Sequence, residues 1–445
     1  MNATKVLLIY IFFILTLYSC NTGPEKPLFG NFWAYSDISG DYYRIDAAKT
    51  YESSNCIIYI DKNLDVDTLT PTSQYYGELF TTNIYKVCTN AFGNPPDVDN
   101  NNKVIILFLD IKSYPDTSDS YVAGYFDPNN ELLVEHSNEK DMIFMDANQG
   151  LSGINGVTNF PTTLAHEFQH MINYNQNVFI EGGSEQDVWI NEGLSTAAES
   201  LYLKAPIANK LTYYTNDSSH TFANGKSLFK WSSYFSSYVN TYLFFQWIRE
   251  QAVNSNLIYK EIITNSTQDS TSVLSRLQSR ISVYDGSTTW SIVLRDWYLA
   301  KFLNKASGLY GFKNYFGSFT SPYLNYTQIY TNTQYALEPG AGIIINPGSN
   351  PTTIYTNSSK ISYFGFDTAT PTIYSSGFSF SGDYLLILNS DNSTTATALN
   401  STNLPVYASV ISPSAGSAKG VGLKPLSESA SEPIYPVDFI IKSKR

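Results

Sequence analysis

The apolar residues of this chain change their period along its length, and that change limits what it can fold into. Residues 103–110 (KVIILFLD) form a continuous apolar run, the mark of a strand buried on both faces. Residues 55–60, 121–126 and 141–145 read as further strands. Residues 73–92 place Leu79, Phe80, Ile84, Val87 and Cys88 near helical spacing, with Gly93 as a stop. From Pro161 to about Gly317 the period is helical, clearest over 234–250 and 293–303. After about Ser321 short Tyr, Ile, Phe and Val runs (KISYFGF, SGFSFSGDYLLILNSD, LPVYASVIS) alternate with Gly, Pro, Asn and Ser turns, the pattern of a β-sandwich or similar all-β module. The expected class is α+β. The expected division is a signal at 1–19, a tether and irregular lead-in at 20–54, an α/β lobe at 55–160, a helical lobe at 161–320 and a β module at 321–445.

Only 15% of the 445 residues are charged, with Lys+Arg 27 against Asp+Glu 39 and a net charge of -12. A hydrophobic fraction of 43% excludes a disordered chain. The acidity argues against nucleic acid, which needs clustered Lys and Arg. The first 19 residues read as an export signal: Lys5 opens a charge-free, mostly apolar run that ends at Ser19, directly before Cys20. The tetrad Leu17-Tyr18-Ser19-Cys20 resembles a bacterial lipobox, which implies Cys20 as the lipidated first residue of the mature protein and a membrane tether without a spanning helix. A plain signal or an uncleaved anchor helix is the alternative. Cys56 and Cys88 are either a disulfide of an exported protein or two buried thiols.

Residues 166–170 read His-Glu-Phe-Gln-His, or H-E-x-x-H. Side chains at i and i+4 leave one side of a helix, so His166 and His170 can bind one Zn²⁺, and Glu167 can reach a metal-held water as general base. With only 4 His in the chain, chance gives this pattern on the order of once in a thousand such sequences. Pro161 and Asn159 are read as first turn and N-cap of that helix, and Leu164, Phe168, Met171 and Ile172 as its core face. Two histidines leave a catalytic zinc one protein ligand short. The third is expected on or near a following helix, where Glu192, Asp187, Glu181 and Glu185 are the candidates.

Trp189-Ile190-Asn191-Glu192-Gly193-Leu194-Ser195 resembles the N-E-x segment of gluzincins, the class of thermolysin and aminopeptidase N. There the Glu after Asn is the third ligand, which carries over to Glu192. HEFQH with WINEGLSTAAE, and GYF and MIFMD upstream, is most similar to the hyicolysin family of bacterial secreted metallopeptidases, over residues 92–303. The resemblance implies a gluzincin-like catalytic unit, with a mixed-sheet N-lobe and a helical C-lobe, ahead of the all-β module. Where thermolysin has an Asp that orients a zinc histidine, this chain has Thr196; Glu199, further along the same helix, can take that role. Ser237-Tyr238 ahead of Tyr242-Leu243-Phe244-Phe245 resembles a segment of such helical lobes and makes Tyr238 the candidate oxyanion donor, with Tyr234 and His220 as alternatives.

The expected activity is zinc-dependent endoproteolysis at a bacterial surface by a monomer, with a protein or peptide held along an edge strand, for which residues 122–126 are the candidate. A metallo-aminopeptidase, or an adhesin using the β module beside a vestigial zinc site, are the alternatives. The acidity is local: residues 97–146 hold 11 acidic and 3 basic side chains. That segment contains Asp97-Val98-Asp99-Asn100-Asn101, which resembles half of a Ca²⁺ loop but lacks Gly at Asn102 and Glu at Phe108, so a polar turn is the better reading. A structural Ca²⁺ or a cleft that favours basic substrates would each explain the acidic lobe.

Overall fold

The computed structural model describes residues 29–36, 38–112, 120–147, 156–232, 234–255, 257–325, 333–346, 352–356, 360–368, 371–374, 378–380, 383–392, 405–410 and 438–443. The export signal and Cys20 lie outside the described residues. The fold is α+β. A seven-stranded sheet has β4 (Val104–Leu109) at its middle, in the order β1 (Phe29–Ser36), β2 (Asp41–Glu52), β3 (Cys56–Asp61), β4, β6 (Met142–Asp146), β5 (Ser120–Phe126) and β16 (Asp438–Ser443). β3 (Cys56–Asp61) and β6 (Met142–Asp146) flank β4 in parallel, and the remaining pairs are antiparallel. Every residue of β4 is buried, as its unbroken apolar sequence requires. Alternate side chains serve two cores. Ile106 and Phe108 join the helical side, while Ile105, Leu107 and Leu109 face a second cluster with Phe32, Ala34 and Ile45.

Those last three residues belong to β1 (Phe29–Ser36) and β2 (Asp41–Glu52), an antiparallel hairpin in a segment expected as an irregular lead-in. The Gly and Pro residues at 23–30 dominate a local reading, whereas the buried Phe32, Ala34, Ile45 and Ala47 stabilise the strands only through the distant β4. The helix expected over 73–92 is three consecutive pieces: α1 (Val66–Leu79), a π-helical turn (Phe80–Ile84) and α2 (Tyr85–Phe92), which ends at Gly93 with φ 118°. Cys56 and Cys88 are free and buried, with Cys88 facing the Ala165 carbonyl at 3.8 Å.

Helix α3 (Gly156–Tyr174) lies on the sheet, with Leu164, Phe168 and Ile172 in the main core. It starts at Gly156, so Pro161 lies beyond its first turn and Asn159 is inside the helix rather than its N-cap. β5 (Ser120–Phe126) runs beside it: a Cβ on Gly124 would stand 3.1 Å from the Thr163 side chain. α4 (Val188–Leu203) packs on α3, and α6 (Phe235–Gln251) packs on α4. Gly193 makes that second contact possible, because a Cβ there would overlap the Phe245 ring. α5 (Ala208–Asn216) precedes α6, and α7 (Ile258–Ile263), α8 (Ser270–Arg280) and α9 (Trp290–Leu303) complete the helices.

Beyond α9 the described elements are strands. β7 (Leu324–Asn325), β9 (Gly342–Asn346), β11 (Ile361–Phe366), β12 (Pro371–Tyr374) and β14 (Tyr384–Asn389) form a five-stranded sheet. Its Phe364, Phe366, Leu386 and Leu388 enter the same core as α9. The Tyr298 hydroxyl accepts the Gly342 N–H at 2.8 Å across that seam. β8 (Thr333–Ala336), β10 (Thr352–Thr356), β13 (Phe378–Phe380) and β15 (Pro405–Val410) form a four-stranded sheet. The last strand, β16 (Asp438–Ser443), joins neither. It pairs antiparallel with β5, so the edge expected at residues 122–126 is covered by the chain's own C-terminal segment.

Candidate functional site

The i, i+4 spacing on α3 sends both imidazoles toward α4. His166 and His170 are buried with their ring centroids 4.8 Å apart. Asn191, Glu192, Ser195 and Glu199 meet them from α4. His166 Nδ1 lies 2.9 Å from Glu199 Oε1, and His166 Nε2 lies 3.2 Å from Glu192 Oε2. His170 Nδ1 lies 3.0 Å from Asn191 Oδ1 and 3.1 Å from Ser195 Oγ, while His170 Nε2 stands 3.8 Å from the same Glu192 Oε2. The ligand atoms of His166, His170 and Glu192 all lie within 4.8 Å of one another. Glu167, next to the first histidine, is fully buried on α3.

Electrostatics select the form of the imidazoles. Burial, with help from His170 and Lys210, pushes the His166 pKa down to about 3 against the opposing pull of Glu199. His166 is therefore neutral at pH 7, and its contact with Glu192 is no ion pair. A carboxylate at Nδ1 assigns the ring proton there. Nε2 then presents a lone pair to a carboxylate oxygen at 3.2 Å, two acceptors face to face. A cation between them removes that conflict. Two imidazoles and a carboxylate, each imidazole held from behind at Nδ1, are the donor set that suits Zn²⁺.

Tyr238 on α6 closes one side of the group. It is buried, its hydroxyl donates to Glu192 Oε1 at 3.5 Å, and its ring centroid stands 6.5 Å from that of His166. Trp231 packs edge-on against the Tyr238 ring at 4.8 Å. The structure thus brings Glu199 and Tyr238 to the two histidines and Glu192. The alternatives lie elsewhere. Asp187 stands at the start of α4, and Glu181 and Glu185 are exposed on the preceding loop. His220 is exposed in the turn after α5 with φ 57°, and Tyr234 is 43% exposed at the start of α6.

Sequence reasoning missed Lys210, whose ammonium donates to both oxygens of Glu199 at 3.3 and 3.4 Å while only 5% exposed. Its signal was present: Lys210 shares a helical face with the buried Ile207 and Tyr214, and a charge on an apolar stripe needs a partner. Asn191, Ser195 and Trp231 left no comparable mark. Ser195 also donates to Gln169, which locks it between the two helices.

A second carboxylate group, Asp97, Asp99 and Asp141, has ligand atoms within 4.8 Å of one another. Burial, then the charges of Asp99 and Asp97, raises the Asp141 pKa to about 7. The group carries its own partners: the Val98 N–H donates to Asp141 at 3.2 Å, the Asn102 N–H to Asp97 at 2.8 Å and Lys140 to Asp99 at 3.1 Å.

No family model matches the chain. Among curated proteins it is similar to the "Neutral metalloprotease ShpI" of Staphylococcus hyicus, with 32% identity over 276 residues. The match covers 60% of this chain and 61% of that protein, so the chain spans less than two thirds of the relative's length. The chain is related to a bacterial neutral metalloprotease.

Proposed function

We propose that this chain is an exported zinc metalloendopeptidase of the gluzincin type that hydrolyses internal peptide bonds of proteins. The convergence of the buried His166, His170 and Glu192, with ligand atoms within 4.8 Å of one another, carries the reading. The related neutral metalloprotease supports it. Nε2 of His166, Nε2 of His170 and the Glu192 carboxylate would hold the metal. Zinc held there supplies a Lewis acid that polarises the scissile carbonyl and acidifies water.

The chain's own groups do the rest. Glu199 fixes the tautomer and angle of His166, and Asn191 with Ser195 does so for His170. Glu167 takes a proton from the attacking water and passes it to the leaving amine. Tyr238, held by Trp231, donates to the oxyanion of the tetrahedral intermediate. Cys20 tethers the mature chain to the cell envelope through lipid, with residues 1–19 removed. No helix among the described residues is long and apolar enough to cross a membrane. The Asp97, Asp99 and Asp141 group is read as an acidic turn that carries hydrogen bonds of its own, and it is assigned no cation.

The test is casein digestion by the wild type, with and without a chelator, beside Glu167→Gln, with zinc content measured on every sample. Chelation abolishes digestion, and Glu167→Gln retains zinc yet loses about 10²-fold or more in rate. Digestion that survives both treatments refutes the reading. Binding of a host protein without cleavage would support the adhesin instead.

A further inference from the structure

β5 has two edges. One pairs with β6, Gly124 opposite Met145 and Phe126 opposite Ile143. The other pairs with β16, Phe126 opposite Asp438, Val122 opposite Ile441 and Ser120 opposite Ser443, with a register shift between Phe439 and Ile441. β5 also lies against the zinc helix. Gly124 faces the side chain of Thr163, one turn before Glu167 and on the same helical face. An extended peptide paired along the outer edge of β5 would therefore run beside the groups assigned to catalysis, and β16 now holds that position. The sequence of the occupant suits the lobe it joins. Residues 438–445 read DFIIKSKR, with three basic and one acidic side chain, whereas residues 97–146 hold 11 acidic and 3 basic.

Resting on the metalloendopeptidase reading, in which an extended substrate pairs with residues 122–126, we propose that the chain's own strand β16 occupies the outer edge of β5 as an intramolecular competitor of extended, basic segments. Backbone pairing supplies the affinity of such an added strand. The covalent connection supplies an effective concentration on the order of 1 mM. A six-residue strand with a dissociation constant near 0.1 mM would then leave the edge open about one tenth of the time. Substrate has to displace β16 before it can be cut.

The test compares the full chain with one ending at residue 437 and with the full chain carrying Ile441→Pro, since proline cannot donate to the ladder. Both changes should raise kcat/KM on an extended fluorogenic peptide about tenfold, with zinc content unchanged. A synthetic peptide of residues 438–445 should inhibit the shortened chain competitively, and a scrambled peptide should do so less. The same labelled peptide should bind a shortened chain carrying Glu167→Gln, read by fluorescence anisotropy, and should bind the full-length Glu167→Gln chain at least tenfold more weakly. Equal or lower rates in both variants, with no competition and equal anisotropy, overturn the proposal. If every chain holds zinc and none cleaves, the peptidase reading fails by itself, and the anisotropy comparison still decides whether β16 covers β5.

Discussion

Glu199 joins two tasks that one double substitution can separate. Its carboxylate accepts from His166 Nδ1 at 2.9 Å and pairs with Lys210 at 3.3 Å, and all three side chains are nearly excluded from water. Glu199→Gln keeps the shape and a carbonyl for the imidazole proton but removes the charge. Two costs follow. Lys210 becomes a buried ammonium without its counter-charge, worth about 3 kcal/mol of folding stability. His166 loses the carboxylate that raises its basicity, which weakens zinc binding about tenfold or more. Lys210→Met added to Glu199→Gln removes the stranded charge. The double variant should recover most of the stability in denaturant unfolding of the metal-free protein, while zinc affinity, read by chelator competition, stays low. A single variant with wild-type stability and wild-type affinity refutes the reasoning. So does a double variant in which both properties recover together.

Tyr238→Phe should lower kcat by about 10²-fold with zinc content unchanged, and an unaltered kcat would move the oxyanion donor elsewhere. Gly193→Ala should destabilise by about 1–3 kcal/mol, because the new methyl meets the Phe245 ring; an unchanged melting midpoint would mean the α4–α6 contact is looser than it looks. Asp141 holds its proton to about pH 7 in the fold, and an unfolded Asp releases it near 3.9, so the folded state binds the extra proton between those values. Stability therefore falls as pH rises from about 4 to 7 and levels off above. Asp141→Asn should flatten that slope between about pH 4 and 7, and a slope equal to wild type would refute the assignment. Millimolar Ca²⁺ should leave the wild-type midpoint where it is at pH 8; a clear rise would make the acidic turn a cation site after all.

The local pattern of the chain made the centre of the site legible and left its surroundings mostly dark. Helical geometry forces His166 and His170 to one side, so five letters of sequence suffice. Glu192 is separated from them by a loop, and resemblance had to supply it. Glu199 could be named because it shares a helix with Glu192, but Lys210 comes from another helix and no spacing rule connects them. Strands show the same limit. β4 announces itself because it is buried on both faces. β1 and β2 depend on a partner far along the chain, and their neighbouring glycines and prolines read as loop. β16 is the extreme case: it pairs with a strand more than 300 residues earlier in the chain, and DFIIKS, apolar only at Phe439, Ile440 and Ile441, carries no mark of its partner.

Glu192 and Glu199 beside His166, and Asn191, Ser195 and Glu192 beside His170, all come from α4. Two imidazoles on one helix facing four side chains on another behave as two plates of a clasp. Neither ring can be retuned alone, since any tilt of α4 shifts all four partners at once. The hinge of that clasp lies at Gly193, where α4 is pressed on Phe245. Substitutions in the apolar seam between α4 and α6 should therefore be felt at the site as a change of alignment, even when they touch none of its polar atoms.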